Sequence, residues 1–179
     1  MAIPTLRTQR LVLRPFTLAD APRVQKLAGE REVALNTLTI PHPYPDGAAE
    51  EWIRSHELKE GEVGFAIDDG QLVGAIGLKV KRDDDIAELG YWIGVPYWGL
   101  GYASEAAAEV IRYGFEELQL NKIYAAHFTR NLASGRVMQK LGMCYEGTLR
   151  QHHKKWGEYV DEDVYGILRE EWKKLTGDG

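Results

Sequence analysis

Cysteine is almost absent from this chain: Cys144 is the only one in 179 residues. An intrachain disulfide is therefore impossible, which fits a reducing compartment. No apolar run approaches the roughly 18 residues that span a bilayer. The first residues also lack the charged, apolar and small-residue order of a secretory signal. A cytoplasmic protein with no membrane partner is the expectation. Positive charge is not in excess, because 22 Lys and Arg stand against 27 Asp and Glu, a formal net charge of −5. That balance argues against nucleic acid as a general partner and leaves room for a cationic one. Internal repeats, linkers and low-complexity segments are missing too. What remains is 44% hydrophobic and 27% charged, ordinary for a globular chain able to bury a sizeable core. One domain over residues 1–179 is expected, as a monomer or a homodimer.

The most informative stretch is Glu88 to Ala106, ELGYWIGVPYWGLGYASEA. It reads as a strand, a glycine-bearing loop (Gly99-Leu100-Gly101-Tyr102-Ala103) and the first turn of a helix. Small residues there let backbone N–H groups approach an anion. The helix adds its unpaired first-turn N–H groups and the positive end of its dipole. Together these features read as a pyrophosphate cradle built from main chain. A P-loop would need a lysine after the glycines, and none follows. A dinucleotide fingerprint would need glycine where Ser104 stands, within a βαβ unit. The segments before this loop read as successive antiparallel strands.

The rest of the chain supplies that context. Residues 8–16 read as a strand, and Thr17-Leu18-Ala19-Asp20 as a capping-box start for a helix to about Gly29. Residues 30–45 lack periodicity and carry three prolines, so the acceptor wall is placed there. A second helix runs from an Asp46 cap to about Lys59. Strands on either side of Asp69-Gly70 form a hairpin, followed by a strand over residues 86–95. Apolar residues from Ala103 to Leu118 recur at helical spacing. A short strand over 122–128, a helix over 131–141 capped by Asn131, and an antiparallel pair over 144–155 and 159–168 complete an α+β chain.

Trp98-Gly99-Leu100-Gly101-Tyr102-Ala103 is similar to the acetyl-CoA loop of the GNAT N-acetyltransferase superfamily, Q/R-x-x-G-x-G/A, with Trp98 in place of the first Gln or Arg. The longer form from Tyr97 to Ala106 resembles the RimJ/RimL-type ribosomal-protein N-terminal acetyltransferases. Four more segments match that branch in order. They are Leu6 to Arg14, Ile40 to Tyr44, Asn131 to Gly142, and the closing pieces Glu146–Arg150 and Tyr165–Trp172, read as strands. The resemblance implies the GNAT fold, a central mixed and mostly antiparallel sheet splayed between its fourth and fifth strands and flanked by helices. It implies acetyl-CoA as co-substrate, its pantetheine arm pairing with the exposed edge at Trp92, Ile93, Gly94 and Val95. Trp98, Gly99, Leu100, Gly101, Tyr102, Ala103 and Ser104 would hold the pyrophosphate.

The implied reaction is direct acetyl transfer from a thioester to an uncharged amine. A protein α-amino group is roughly one tenth neutral at pH 7, a lysine-like amine about once in a few thousand. An alkylamine therefore needs a base more than an N-terminus does. The resemblance points to Ser134 as the O–H donor to the departing sulfur and to Asn131 as a partner of the cofactor arm. A tyrosine common further along that helix is Met138 here. An oxyanion donor is expected at the backbone N–H near Ile93. Two residues remain open as the base: Glu88, acting through water, and His153, whose ordinary pKa suits neutral pH. His42 and Tyr44 are candidates for the acceptor pocket, and His56 and His127 read as structural. No metal is expected, because strand alternation sends His152 and His153 to opposite faces.

Three readings follow. The leading one is acetylation of a protein N-terminal α-amine. The second is acetylation of a small amine such as a polyamine, an antibiotic or an amino acid. The third is a non-catalytic acyl-CoA-binding regulator on the same scaffold, which would keep the loop and lose the acid and base.

Overall fold

The computed structural model describes residues 3–58 and 60–177. In chain order the elements are β1 Leu6–Arg7, β2 Val12–Arg14, α1 Ala21–Ala28, α2 Arg31–Leu35, α3 Ala48–Leu58, β3 Glu62–Asp68, β4 Leu72–Lys81 and β5 Ile86–Ile93. They continue as α4 Tyr102–Glu116, β6 Lys122–Phe128, α5 Leu132–Lys140, β7 Cys144–Lys155, β8 Glu158–Leu168 and α6 Arg169–Thr176. The strands form one mixed sheet in the order β1-β2-β3-β4-β5-β6-β8-β7. All pairings are antiparallel except β5 with β6. None of the described helices is long and apolar enough to cross a membrane.

The α+β architecture and the splayed sheet follow expectation, with four local departures. Of the strand expected over residues 8–16 only Val12–Arg14 is strand, and Leu6–Arg7 before it pairs back antiparallel as a separate strand. The chain turns over residues 8–11, where the Thr8 hydroxyl and the Arg10 N–H both donate to Glu105 Oε1, at 2.6 and 2.8 Å. The splay consequently falls between β5 and β6 rather than between a fourth and a fifth strand. Residues 30–45 contain the short helix α2, too brief to show a period. The closing segment turns into α6 at Arg169, with the Leu168 N–H bonded to Glu171 Oε2 at 2.9 Å. The end of the second helix expected at Lys59 lies outside the described residues.

Strand alternation puts a separate core on each face of the sheet. Phe65 and Ile67 face α4, whose Ala106, Ala107, Val110 and Ile111 are buried against them. Ala66 and Leu72 face α1 and α3 through Val24, Leu27 and Ile53. Gly94 follows β5 on this second side, where a Cβ would come within 2.8 Å of Leu27 Cδ2. A side chain here would have to displace that methyl, so the close approach of α1 favours glycine.

Asp20 ties the first helix to the sheet. Its carboxylate accepts two bonds from Arg14, at 2.8 and 2.9 Å, and one from the Thr17 N–H at 2.8 Å. Arg14 also reaches Asp68 at 2.9 Å. Burial alone would raise the Asp20 pKa, but the Arg14 and Thr17 bonds outweigh it and hold the value below the ordinary 3.8. A depressed folded pKa contributes stability that is complete above the unfolded pKa and is lost as pH falls through the folded one. Asp20→Asn is expected to destabilise by about 2–3 kcal/mol at neutral pH, below the roughly 3–5 kcal/mol of a fully buried pair because Asp68 still faces Arg14. Urea unfolding should also show a difference from wild type that shrinks below about pH 4. A constant difference from pH 7 to 3 would show that the charge is not the cause.

Candidate active site

The site begins where β5 and β6 part. Their parallel pairing runs through Ile86↔Lys122 and Ala87↔Ile123 and stops at Glu88↔Tyr124. Both strands continue beyond it, to Ile93 and Phe128. The Gly94 N–H donates to Val73 O on β4 at 2.9 Å. By antiparallel alternation, Trp92 also directs its backbone polar groups to β4, while Tyr91 and Ile93 turn theirs to the fork. The edge open to a ligand is thus made of Tyr91 and Ile93, not of all four residues from Trp92 to Val95. The Ile93 carbonyl is already taken by the Trp98 indole N–H at 2.7 Å. That bond gives Trp98 a role in the loop although it lacks the charge or amide expected at its position.

The glycine loop closes one end of the fork. Gly99 and Gly101 have φ of +76° and +80°, the left-handed region that glycine enters without steric cost. Gly101 caps α4. No atom lies within 4 Å of a Cβ built at Gly99, so the surface above it is free for a ligand. Arg10 braces the loop from outside: its Nη1 donates to Leu100 O at 2.9 Å and its Nε to Glu105 at 2.7 Å. Against the cost of burial, bonds from Thr8 and Arg10 hold the Glu105 carboxyl below its ordinary range. The Tyr102 hydroxyl anchors the other flank on Asp69 Oδ2 at 2.8 Å. A cradle this rigid, lined by backbone at a helix N-terminus, fits a pyrophosphate.

Across the fork, Asn131 caps α5 by accepting from the Ser134 N–H at 3.3 Å. The Ser134 hydroxyl lies 2.7 Å from the Tyr91 hydroxyl. Burial pushes the Tyr91 phenol above its ordinary pKa, an effect the Ser134 bond partly offsets. Tyr91 therefore stays protonated and available as a donor. Forty-three residues separate the two hydroxyls, and no sequence spacing announces the pair. Tyr91 is the residue sequence reasoning missed.

A cavity of about 1160 Å³ runs through the fork. It brings together Trp92, Ile93, Trp98, Gly99, Gly101, Tyr102, Ala103, Ser104, Asn131 and Ser134 with Glu88, His153 and Tyr44. Gly94, Val95, Leu100 and His42 do not line it. Gly94 is spent on packing against Leu27, Val95 opens a short 3-10 turn, and the Leu100 carbonyl turns to Arg10. His42 lies beside Trp156 instead, ring centroids 6.0 Å apart.

The far wall of the cavity includes Asn36 to Pro41 and Tyr44. It belongs to the segment expected to form the acceptor wall. Buried Lys155 holds it, with Nζ 3.5 and 3.3 Å from the carbonyls of Leu38 and Ile40, and Arg130 bonds Leu35 O at 2.8 Å. Facing it, His153 Nε2 lies 3.1 Å from Glu162 Oε2. Burial, then Glu88, then Glu162, raise the Tyr124 pKa. His152 lines the same cavity, contrary to the alternation argument. The β7–β8 register is irregular between Leu149 and His153, and Gln151 adopts φ +48°.

The model of the acetyltransferase (GNAT) domain family matches residues 10–144. This chain is a GNAT N-acetyltransferase. The "Putative ribosomal N-acetyltransferase YdaF" of Bacillus subtilis is 30% identical, over 92% of this chain and 94% of that one. The "FsC-acetyl coenzyme A-N(2)-transacetylase" of Aspergillus fumigatus is 31% identical, over 97% of this chain and 80% of the relative. A crystal structure of a GNAT-family acetyltransferase from Bacillus anthracis superposes with a TM-score of 0.84 at 27% identity, over 93% of this chain and 99% of that one. The GNAT family uses acetyl-CoA, and the glycine cradle with the open edge at Tyr91 and Ile93 fits it.

Proposed function

We propose that residues 1–179 are a single acetyltransferase domain that moves an acetyl group from acetyl-CoA to a protein N-terminal α-amine. The observation that carries this reading is the convergence on one fork of the glycine cradle, the paired Ser134 and Tyr91 hydroxyls, and Glu88. The cavity exceeds the roughly 300–1,000 Å³ of a typical small-ligand pocket, which supports a chain end entering beside a cofactor arm. The ribosomal N-acetyltransferase named among the relatives, YdaF, supports a protein acceptor.

Bound acetyl-CoA supplies a thioester whose acyl carbon forms a bond to the amine nitrogen as its bond to sulfur breaks. Gly99, Gly101 and the first turn of α4, with Ser104, receive the pyrophosphate through N–H groups. The Ile93 N–H faces the fork as the oxyanion donor. Glu88, at the last paired position, takes the amine's proton through a water. Ser134 Oγ gives a proton to the departing sulfur and takes one from Tyr91 Oη, which regains its own from water once the products leave. His153, held by Glu162, stands beyond them on the acceptor side with Tyr44.

A second reading, a small cationic amine, is favoured by the Glu88 and Glu162 carboxylates on the cavity wall. Release of free thiol from acetyl-CoA decides between them when peptides with free N-termini are compared with polyamines and amino acids. Peptide acceptors should give the higher kcat/KM. If only a small amine turns over, the acceptor assignment falls and the acetyltransferase chemistry stands. With the acceptor so defined, Glu88→Gln should lower kcat about a hundredfold, within the range for general-base catalysis. His153→Ala should cost less than tenfold. The reverse ranking would transfer the base role to His153.

A further inference from the structure

A regular strand would separate the side chains of His152 and His153 by its full thickness. Here β7 takes two extra residues between Leu149 and His153, and among them Gln151 has a φ of +48°, unfavourable for a residue with a Cβ. Asp161 Oδ1 accepts the Gln151 N–H at 2.7 Å and holds the bulge. The result is two adjacent imidazoles on one side, ring centroids 4.6 Å apart and planes inclined at 71°. One donor atom from each of His152, His153 and Glu162 lies within 4.8 Å of the other two.

Two imidazole nitrogens and one carboxylate oxygen suit zinc and its transition-metal neighbours, whereas magnesium and calcium want an oxygen shell. Ligands of a tetrahedral zinc stand about 3.3 Å from one another, given bond lengths near 2.0–2.1 Å. His153 Nε2 and Glu162 Oε2 are already 3.1 Å apart. His152 is exposed, and rotation about its side-chain bonds closes the remaining gap. All three residues line the cavity, which leaves a fourth coordination position open to water or a small ligand. We propose that His152, His153 and Glu162 form a binding site for one divalent transition-metal ion, of zinc or nickel type, on the β7–β8 hairpin. The bulge is what builds it: without the turn at Gln151, only two of the three donors would meet. The site stands on its own geometry and does not depend on the acceptor reading.

Calorimetric titration of ZnCl₂ into tag-free protein tests this, in a Cys144→Ser background that removes the exposed thiol as a competing ligand. The expected result is saturable uptake of one ion per chain, reversed by EDTA, with no heat from MgCl₂. His152→Ala and Glu162→Gln should each weaken binding at least about tenfold, the smaller end of what losing even an outer partner of a metal costs. Circular dichroism should match the parent, since neither side chain is part of either core. Two results would overturn the site: no saturable uptake in the parent, or uptake undiminished in His152→Ala.

Discussion

Gly101→Val lowers affinity for acetyl-CoA by about tenfold to a hundredfold while the protein remains folded. The affinity loss follows from what the loop offers a ligand. Its recognition surface is backbone N–H, and hydrogen bonds to a charged partner contribute roughly 1.5–3 kcal/mol each. A β-branched residue cannot hold φ +80° at the cap of α4 without strain. It either displaces the loop or stands over its N–H groups, and both remove contacts to the pyrophosphate. Left-handed backbone costs a residue with a Cβ roughly 1–2 kcal/mol, small beside the roughly 5–15 kcal/mol that keeps a domain folded. A Cβ at Gly101 would meet only Arg10 Nη2, at 3.4 Å, so packing raises no further objection. Calorimetric titration with acetyl-CoA, beside a thermal melt, measures both quantities. Unchanged affinity in the folded variant would remove the loop from the cofactor site.

Ser134→Ala lowers kcat by about 10²–10⁴-fold, the range for proton transfer by a positioned side chain, and leaves acetyl-CoA affinity within a few-fold. The asymmetry arises because a proton donated to the departing sulfur acts only as the bond breaks, so it stabilises the transition state and not the bound substrate. Asn131 still caps α5 in this variant, since it accepts from the backbone N–H of residue 134 and not from the hydroxyl. Tyr91→Phe is expected to give a smaller loss in kcat: Ser134 keeps its O–H but loses the neighbour 2.7 Å away. Turnover equal to wild type in Ser134→Ala would take the serine out of the mechanism and would leave Tyr91 as the nearest hydroxyl able to replace it.

The parts of the site legible in the chain are those whose chemistry is local. A loop that binds through main chain must place small residues at set spacing before a helix, so Gly99 and Gly101 are visible without a structure. The Asn131 cap and Ser134 share one helical turn, and that too is a matter of spacing. The Asp69-Gly70 turn likewise marked the hairpin of β3 and β4, the strand expected over 122–128 is β6, and helical period marked α4 within a few residues of its observed bounds. The short helix α2 escaped because five residues carry no period. The turn into α6 escaped because Arg169 follows β8 with no glycine or proline between them.

The remainder was decided by contacts between residues far apart in the chain. Glu105 holds Thr8 and Arg10 across more than 90 residues, so the start of the expected first strand folds as a turn. Tyr91 meets Ser134 only because β5 and α5 face each other across the fork. Gly94, read as cofactor edge, packs against Leu27 of α1. His152 joins His153 because Asp161 on the neighbouring strand stabilises a bulge that alternation forbids. The sequence by itself determined the α+β class, the family and the glycine loop before α4, because periodicity, capping and turn chemistry are written in adjacent residues. Only the tertiary structure decided which backbone groups face the fork, which hydroxyl partners Ser134 and which histidines share a face, because those depend on register and on long-range hydrogen bonds.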